Sequence, residues 1–316
     1  MHGCSRVLVT GGAGFIGSHT MDRLLAEGFE VVVLDDLRNG RLENISQHMG
    51  KRFFRFVRGD VRDSRLVRDL VKDVDCVVHL AALISVPESI EDPLLTNDVN
   101  VNGTLNLLKA SMDFNVKRFV YASSCAVYGN AKVLPIKEDS PLEPLSPYGV
   151  SKLAAEKYVG VFYEVYGLET VCLRYFNVYG PRQAYNDYSG VITKFIDRLT
   201  KDFPLVVFGD GEQTRDFVYV QDVVEANILA LKKEEAAGKT FNIGTGVATK
   251  INQLASALLE ITKKTHLKLK HSKPREGDIK HSFADISKSR KKLHYNPKTS
   301  LKEGLEELTK SYTMLK

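Results

Sequence analysis

The chain has 316 residues, 43% of them hydrophobic and 26% charged. That excludes disordered and collagen-like classes and suits one large α/β unit with a smaller lobe. The net charge of +5 is mild, and the densest basic stretch, Lys263 to Lys298, scatters its cations among polar residues; it reads as a solvated surface, or more weakly as an electropositive approach for an anionic ligand, rather than as a nucleic-acid-binding face.

Arg6–Thr10 is an apolar, β-branched run, expected as a buried strand. Phe15–Glu27 follows with helical spacing at Ile16, Leu24 and Leu25, ended by Gly28. Strands are expected at Val31–Leu34, Phe53–Val57, Cys76–Leu80, Arg118–Ala122 and Val171–Arg174, with helices at Ser64–Lys72, Leu94–Asp113 and Tyr148–Tyr166. Continuous apolar strands separated by helices predict a parallel sheet covered on both faces. After about Gly180 the rhythm breaks. A short strand at Leu205–Phe208 precedes Phe217–Val220, a helix Asp222–Lys233 and a strand Thr240–Ile243, which are expected to rejoin the first sheet. Helices near Ile251–Thr262 and Leu301–Thr309 complete a small lobe. The expected fold is a Rossmann-type, doubly wound α/β sheet with a smaller C-terminal α/β substrate lobe. Residues 1–180, with 217–243 rejoining them, would form the dinucleotide domain, residues 181–216 and 244–316 the lobe, with a cleft between.

The four cysteines, Cys4, Cys76, Cys125 and Cys172, form no C-x-x-C pair and suggest no metal site. Buried free thiols in a reducing compartment are expected. The longest apolar run, Cys76 to Val86, is too short to span a bilayer, and the N-terminus runs straight into a strand. A cytoplasmic protein without a membrane partner is therefore expected.

Thr10-Gly11-Gly12-Ala13-Gly14-Phe15-Ile16-Gly17 lies between the first strand and the first helix. Glycine lets backbone approach a pyrophosphate, and the helix N-terminus favours negative charge. Asp35, eighteen residues beyond Gly17, stands at the end of the next strand, where a carboxylate accepts ribose hydroxyls and repels a 2′-phosphate. That favours NAD as cofactor; Arg38 nearby is the argument for NADP. Asp36 is a second candidate, with loop capping as its equal alternative.

Tyr148 and Lys152 share one face of a helix whose start is marked by Ser146-Pro147. A free tyrosine, with a pKa of roughly 10, is a poor base at neutral pH, and a nearby ammonium and the helix N-terminus both favour its phenolate. The spacing alone describes many pairs of surface residues. After a nucleotide-binding half, it points to an acid/base unit for a sugar hydroxyl. Ser123-Ser124 closes the fifth strand at the carboxyl end of the sheet; Ser124 would relay the proton or orient the substrate oxygen, with turn capping as its alternative.

At these residues the chain resembles the extended short-chain dehydrogenase/reductase superfamily over nearly its full length. The resemblance runs through Gly11–Gly17, Gly59-Asp60-Val61, His79-Leu80-Ala81-Ala82, Asn100-Val101-Asn102-Gly103-Thr104, Ser123–Gly129, Tyr148–Lys152, Arg174-Tyr175-Phe176-Asn177, Arg215-Asp216 and Arg275-Glu276-Gly277-Asp278. Within it the chain is most similar to UDP-hexose 4-epimerases. The resemblance implies that Tyr148 takes the proton of the 4-hydroxyl while NAD⁺ takes the C4 hydride, that the 4-keto sugar turns over, and that hydride and proton return on the other face. It places Gly11, Gly14, Phe15, Ile16, Gly17, Asp35, Asp36, Asp60, Val61, Ala81, Ala82, Asn100, Tyr148, Lys152 and Tyr175 at the cofactor. Ser124, Tyr148, Asn177, Phe208, Arg215, Arg275, Asp278 and Ser282 fall at the substrate. The arginines would neutralise the diphosphate through fork geometry, though a salt bridge from Arg215 to Asp216 or Asp222 is the alternative.

Two departures bear on substrate. Ala126 stands where UDP-galactose epimerases usually carry a Ser or Thr hydroxyl. Ser282 replaces a bulky tyrosine of strictly hexose-specific epimerases and leaves room for a 2-acetamido group, unless it only caps a loop. With Ser85–Ile90, this tail resembles UDP-N-acetylglucosamine 4-epimerases, so UDP-GlcNAc/UDP-GalNAc is expected besides UDP-Glc/UDP-Gal. Cys125-Ala126 follows Ser124 where related dehydratases place Asp-Glu, and related decarboxylases a glutamate at the Ala126 position. A UDP-glucuronate 4-epimerase and a non-catalytic NAD-binding regulator stay as alternatives; the regulator would commonly have lost Tyr148 or Lys152. The family pairs the helices Leu94–Asp113 and Tyr148–Tyr166 between subunits, and both carry apolar residues on more than one face, so a homodimer is expected.

Overall fold

The computed structural model describes residues 4–183, 190–274, 277 and 279–313. Its first half runs β1 (Arg6–Thr10), α1 (Phe15–Ala26), β2 (Glu30–Asp35), β3 (Phe54–Arg58), α2 (Ser64–Val71), β4 (Cys76–His79), α3 (Val86–Glu91), α4 (Pro93–Asn97), α5 (Gly103–Asp113), β5 (Arg118–Ser124), α6 (Pro147–Tyr166) and β6 (Thr170–Tyr175). The second runs β7 (Asn177–Tyr179), α7 (Val191–Thr200), β8 (Val206–Phe208), β9 (Thr214–Arg215), β10 (Phe217–Tyr219), α8 (Val220–Lys232), β11 (Lys239–Ile243), β12 (Thr249–Lys250), α9 (Ile251–Ile261), β13 (Lys270–Ser272), β14 (His281–Ser282) and α10 (Leu301–Thr313).

Seven strands form one sheet in the order β11-β6-β5-β4-β1-β2-β3, all pairs parallel. Their unbroken apolar runs are explained by what lies on each face. One buried cluster unites Val7, Val9, Val33 and Val78 with Met21 and Leu24 of α1 and Val223 and Val224 of α8. The other unites Leu8, Val32, Val77 and Phe119 with Leu107 of α5 and Ala155 and Val159 of α6. The chain reverses direction across the sheet between β1 and β4, so a crevice opens outside the carboxyl ends of those strands.

Three expectations need correction. The helix Leu94–Asp113 is not continuous: a π-helical turn at Asp98–Asn102 separates α4 from α5 and carries Asn100 inward, buried. Phe217–Tyr219 does not join the large sheet; it pairs with β7 in a separate two-stranded sheet, while Lys239–Ile243 does reach the edge beside β6. Cys4 and Cys76 form a disulfide rather than two free thiols, because the parallel β1–β4 register sets Val7 opposite Cys76 and leaves Cys4, two residues before β1, 6.1 Å away, Cα to Cα. Cys125 and Cys172 are free.

Beyond β6 the strands outside the large sheet are short. β9 lies between β12 and β14, and β8 pairs with β13. A third cluster, with Ile192, Phe195, Ile196 and Leu199 of α7, Leu254 and Leu258 of α9 and Leu305 and Leu308 of α10, holds this part together. No described helix is long and apolar enough to cross a membrane.

Candidate active site

Gly11 opens the loop after β1 with φ +68°, and a Cβ there would stand 2.8 Å from the Ala81 nitrogen, so only glycine fits. A Cβ at Gly17 would meet the Gly11 carbonyl at 2.0 Å. Gly14 is the N-cap of α1 with no side chain capping it, and the first turn carries no acid. Backbone N–H groups and the positive helix end therefore face the crevice, as an anionic pyrophosphate requires. Phe15 and Ile16 pack inward from this turn against the third cluster.

Asp35 is buried at the end of β2, its carboxylate accepting from Ala13 N at 3.0 Å and Leu37 N at 2.8 Å. Burial raises its pKa, and the two N–H donors oppose that shift. Asp36 is exposed and caps the Arg38 N–H at 3.0 Å, the local role weighed for it. Arg38 is engaged by Glu88 of α3. Asp60 is bound by Arg62, which lowers its pKa. Val61 is buried against Gly103. Ala81 and Ala82 follow β4, with the Ala81 N–H on the Thr10 hydroxyl at 3.2 Å.

Asn100 and Tyr175 spend their polar groups on the protein itself. Both amide hydrogens of Asn100 are spent, on Leu83 O at 3.0 Å and Ser151 Oγ at 2.9 Å, and its oxygen accepts from Leu83 N at 2.8 Å. It braces the wall of the crevice. The Tyr175 hydroxyl donates to buried Asn227 at 2.5 Å, so only its ring can line the site.

Ser146 caps α6 by accepting from Gly149 N, Pro147 occupies the first turn, and the Tyr148 N–H is held by Ser89 Oγ at 3.1 Å. The Tyr148 phenol lies by Ser124 at the end of β5, whose hydroxyl also caps the following turn by accepting from Ala126 N at 3.2 Å. Burial pushes that phenol up to about 12, and the Ser124 hydroxyl opposes the shift. Lys152, one turn along, is buried on the same helix. Its ammonium donates to Ala122 O at 2.8 Å and lies 5.0 Å over the Tyr121 ring, and burial brings its pKa down to about 7. One turn further on, buried Glu156 accepts from Ser123 at 2.6 Å and pairs with buried Arg174 at 2.5 Å, which fixes α6 against β5 and β6.

The second wall comes from the short strands. Arg215 lies on β9, in register with Ser282 of β14, and its charge acts on Cys125 beside Ser124. Neither acid weighed as its partner is open to it: Asp216, fully buried, accepts from Thr245 N, Thr245 Oγ1, Gly246 N and Ala284 N, and Asp222 accepts from Lys298 N and Thr299 N. Ser282 is a buried strand residue rather than a loop cap. The Asn177 side-chain oxygen is buried with no hydrogen-bond partner among the described residues, an acceptor left for a ligand. Phe208 ends β8, half-buried. Arg275 and Asp278 lie outside the described residues. Burial pushes the Cys125 thiol up to about 11, so it supplies no acid or base near neutrality.

A family model described as GDP-mannose 4,6 dehydratase matches residues 8–308. The chain belongs to this family, within the extended short-chain dehydrogenases/reductases. A putative UDP-glucose 4-epimerase of Methanocaldococcus jannaschii is 42% identical over 306 residues, covering 95% of this chain and 96% of that one. A UDP-N-acetylglucosamine 4-epimerase of Methanobrevibacter ruminantium, solved with UDP-N-acetylmuramic acid, superposes with a TM-score of 0.94 at 38% identity, covering 99% of both chains. A UDP-glucose 4-epimerase of Thermus thermophilus, solved with NAD, gives 0.87 at 38% identity, covering 98% of this chain and 99% of that one.

Sequence reasoning passed over several residues of the site. His79 and Thr104 were legible only as members of resemblance segments, with no role assigned, and nothing in the sequence marks Thr10, Thr104 and Ser151 as the network of His79. Ser89 was legible only as part of a motif.

Proposed function

We propose that this protein is an NAD-dependent 4-epimerase of UDP-sugars. The observation that carries the reading is the Tyr148 phenol by Ser124 at the carboxyl end of β5 and one helical turn from Lys152, in a chain whose β1–α1 glycine loop is fit for a dinucleotide. Gly11–Gly17, Asp35, Asp60 and Val61, Ala81 and Ala82, and Lys152 would hold the cofactor. Asp35 would accept the ribose hydroxyls, and the engagement of Arg38 by Glu88 favours NAD over NADP. Bound NAD⁺ supplies the reversible hydride acceptor at C4 and a positive ring that favours the phenolate.

Tyr148 would take the C4 hydroxyl proton and return it after the sugar has presented its other face; Ser124 would orient the oxygen between. Asn177, Phe208, Arg215, Arg275, Asp278 and Ser282 would hold the nucleotide-sugar, the arginines against the diphosphate. No carboxylate follows Ser124, which argues against water elimination and against decarboxylation.

The small residue at Ser282 supports acetamido sugars, UDP-GlcNAc and UDP-GalNAc, besides UDP-Glc and UDP-Gal. Incubation of the purified protein with each UDP-sugar, UDP-glucuronate included, and separation of the 4-epimers tests this. Interconversion of UDP-GlcNAc and UDP-GalNAc is expected. Conversion of UDP-glucuronate alone would shift the substrate, and NAD binding without any conversion would favour a regulator.

A homodimer is part of the proposal. Val150, Tyr158, Val161 and Val165 form an exposed apolar stripe along α6, joined by Ile90 and Leu94 of α3 and α4. A second copy laid antiparallel would cover it. Light scattering is expected to give twice the chain mass; a monomer mass would refute it.

A further inference from the structure

His79 is buried at the end of β4, between the two halves of the cofactor crevice. Its hydrogen bonds have a fixed direction. The single hydroxyl proton of Thr104 goes to Asn100 O at 2.6 Å, so Thr104 Oγ1 must accept from the imidazole Nε2–H at 2.9 Å. Nδ1 is then an acceptor, and Thr10 donates to it at 2.7 Å. Thr10 Oγ1 accepts in turn from Leu80 N and Ala81 N, each at 3.2 Å. Ala81 is the residue whose backbone a Cβ at Gly11 would strike.

At the other end, Asn100 sits on the π-helical turn. It donates through its side chain to Ser151, and Ser151 donates to the Tyr148 carbonyl at 2.8 Å. The rings of Tyr121 and Phe119 pack on the imidazole at 5.7 and 6.0 Å, and Lys152 is the charge that acts on it. Burial, with that ammonium adding to it, brings the imidazole down to about 3.

We propose that His79 is a positioning residue, the hub of a one-directional hydrogen-bond chain that holds the cofactor loop at Gly11 and the catalytic helix at Tyr148 in one register. The proposal rests on the reading of those two elements as cofactor site and acid/base site. Each ring nitrogen serves one of them. The Nδ1 side holds the loop through Thr10, and the Nε2 side holds the π turn and α6 through Thr104. A neutral imidazole is the only form that does both, because a second N–H would meet the Thr10 proton.

Two substitutions separate the sides. His79→Asn keeps an acceptor near the Nδ1 position for Thr10 and loses the donor to Thr104; His79→Gln reaches Thr104 and loses the acceptor. His79→Gln is expected to raise the NAD dissociation constant roughly tenfold, the order of one lost buried hydrogen bond, with kcat at saturating NAD within about threefold of the parent. His79→Asn is expected to lower kcat roughly tenfold with NAD affinity within about threefold. Nitrogen-15 NMR of the histidine-labelled parent protein is expected to show one imidazole in the Nε2–H form, unchanged from pH 5 to 9 and lost in both variants.

The proposal is overturned if that signal titrates in this window or reports an Nδ1–H ring, or if both variants move NAD affinity and kcat together. The NMR arm decides even where a variant fails to fold. A parent protein that binds NAD but converts no UDP-sugar would sink the epimerase reading, while the NMR and NAD-affinity arms would still decide the chain through His79.

Discussion

In the cofactor half, candidate ligand-facing residues stand at the ends of strands of four to seven residues, each strand buried between helices. In the substrate half, Arg215 and Ser282 stand on strands of two residues. The first half is held by apolar area, and the polar side chains of His79 and Glu156 are satisfied inside that packing. The second half has little sheet to rely on, and buried Asp216 takes over, gathering Thr245, Gly246 and Ala284 around one carboxylate next to Arg215. On the proposed reading, rigid strands would fix the position of the hydride and proton chemistry, while a carboxylate-centred knot would shape the wall facing the sugar.

The largest effect should come from the shared edge of the two halves. Tyr148→Phe removes the proton carrier and leaves the fold, so kcat should fall at least roughly 10³-fold with NAD affinity unchanged. Asp216→Ala separates the halves. It strips three backbone N–H groups of their acceptor, and kcat/KM for the UDP-sugar should fall about 100-fold while NAD affinity stays within about twofold. Equal losses in both would mean that the knot supports the whole molecule rather than the substrate wall. Ser282→Tyr sharpens the comparison within the second half. The ratio of UDP-GlcNAc to UDP-Glc turnover should drop roughly tenfold, a steric effect of the size expected for a filled pocket. An unchanged ratio would remove Ser282 from specificity.

The same contrast governs what could be read from the residues in order. β1, β2, β4, β5 and β6 were legible because a buried parallel strand is an unbroken apolar run, and the glycine loop and Asp35 because their spacing is set by the strand–turn–helix unit that holds them. The two-residue strands were not legible, since period-two alternation needs more residues than Thr214–Arg215 or His281–Ser282 supply. α7 was passed over although Ile192, Phe195, Ile196 and Leu199 carry a helical period. α3 was passed over although Ser85 caps it and Pro87 lies in its first turn. The π turn left no trace, because Leu94–Asp113 is equally apolar with or without one extra residue per turn. The direction of Lys152 was lost for another reason. Four-residue spacing puts it on the face of Tyr148, but Ala122 O and the Tyr121 ring, remote in sequence, decide where the ammonium goes.

The central claim is that C4 loses its hydrogen as hydride within a closed site and regains the same atom. A UDP-sugar carrying deuterium at C4, converted in ordinary water, reads this directly. The account predicts that the 4-epimer forms with the deuterium still at C4. Product with hydrogen from solvent at C4 would mean exchange as a proton, and would contradict it.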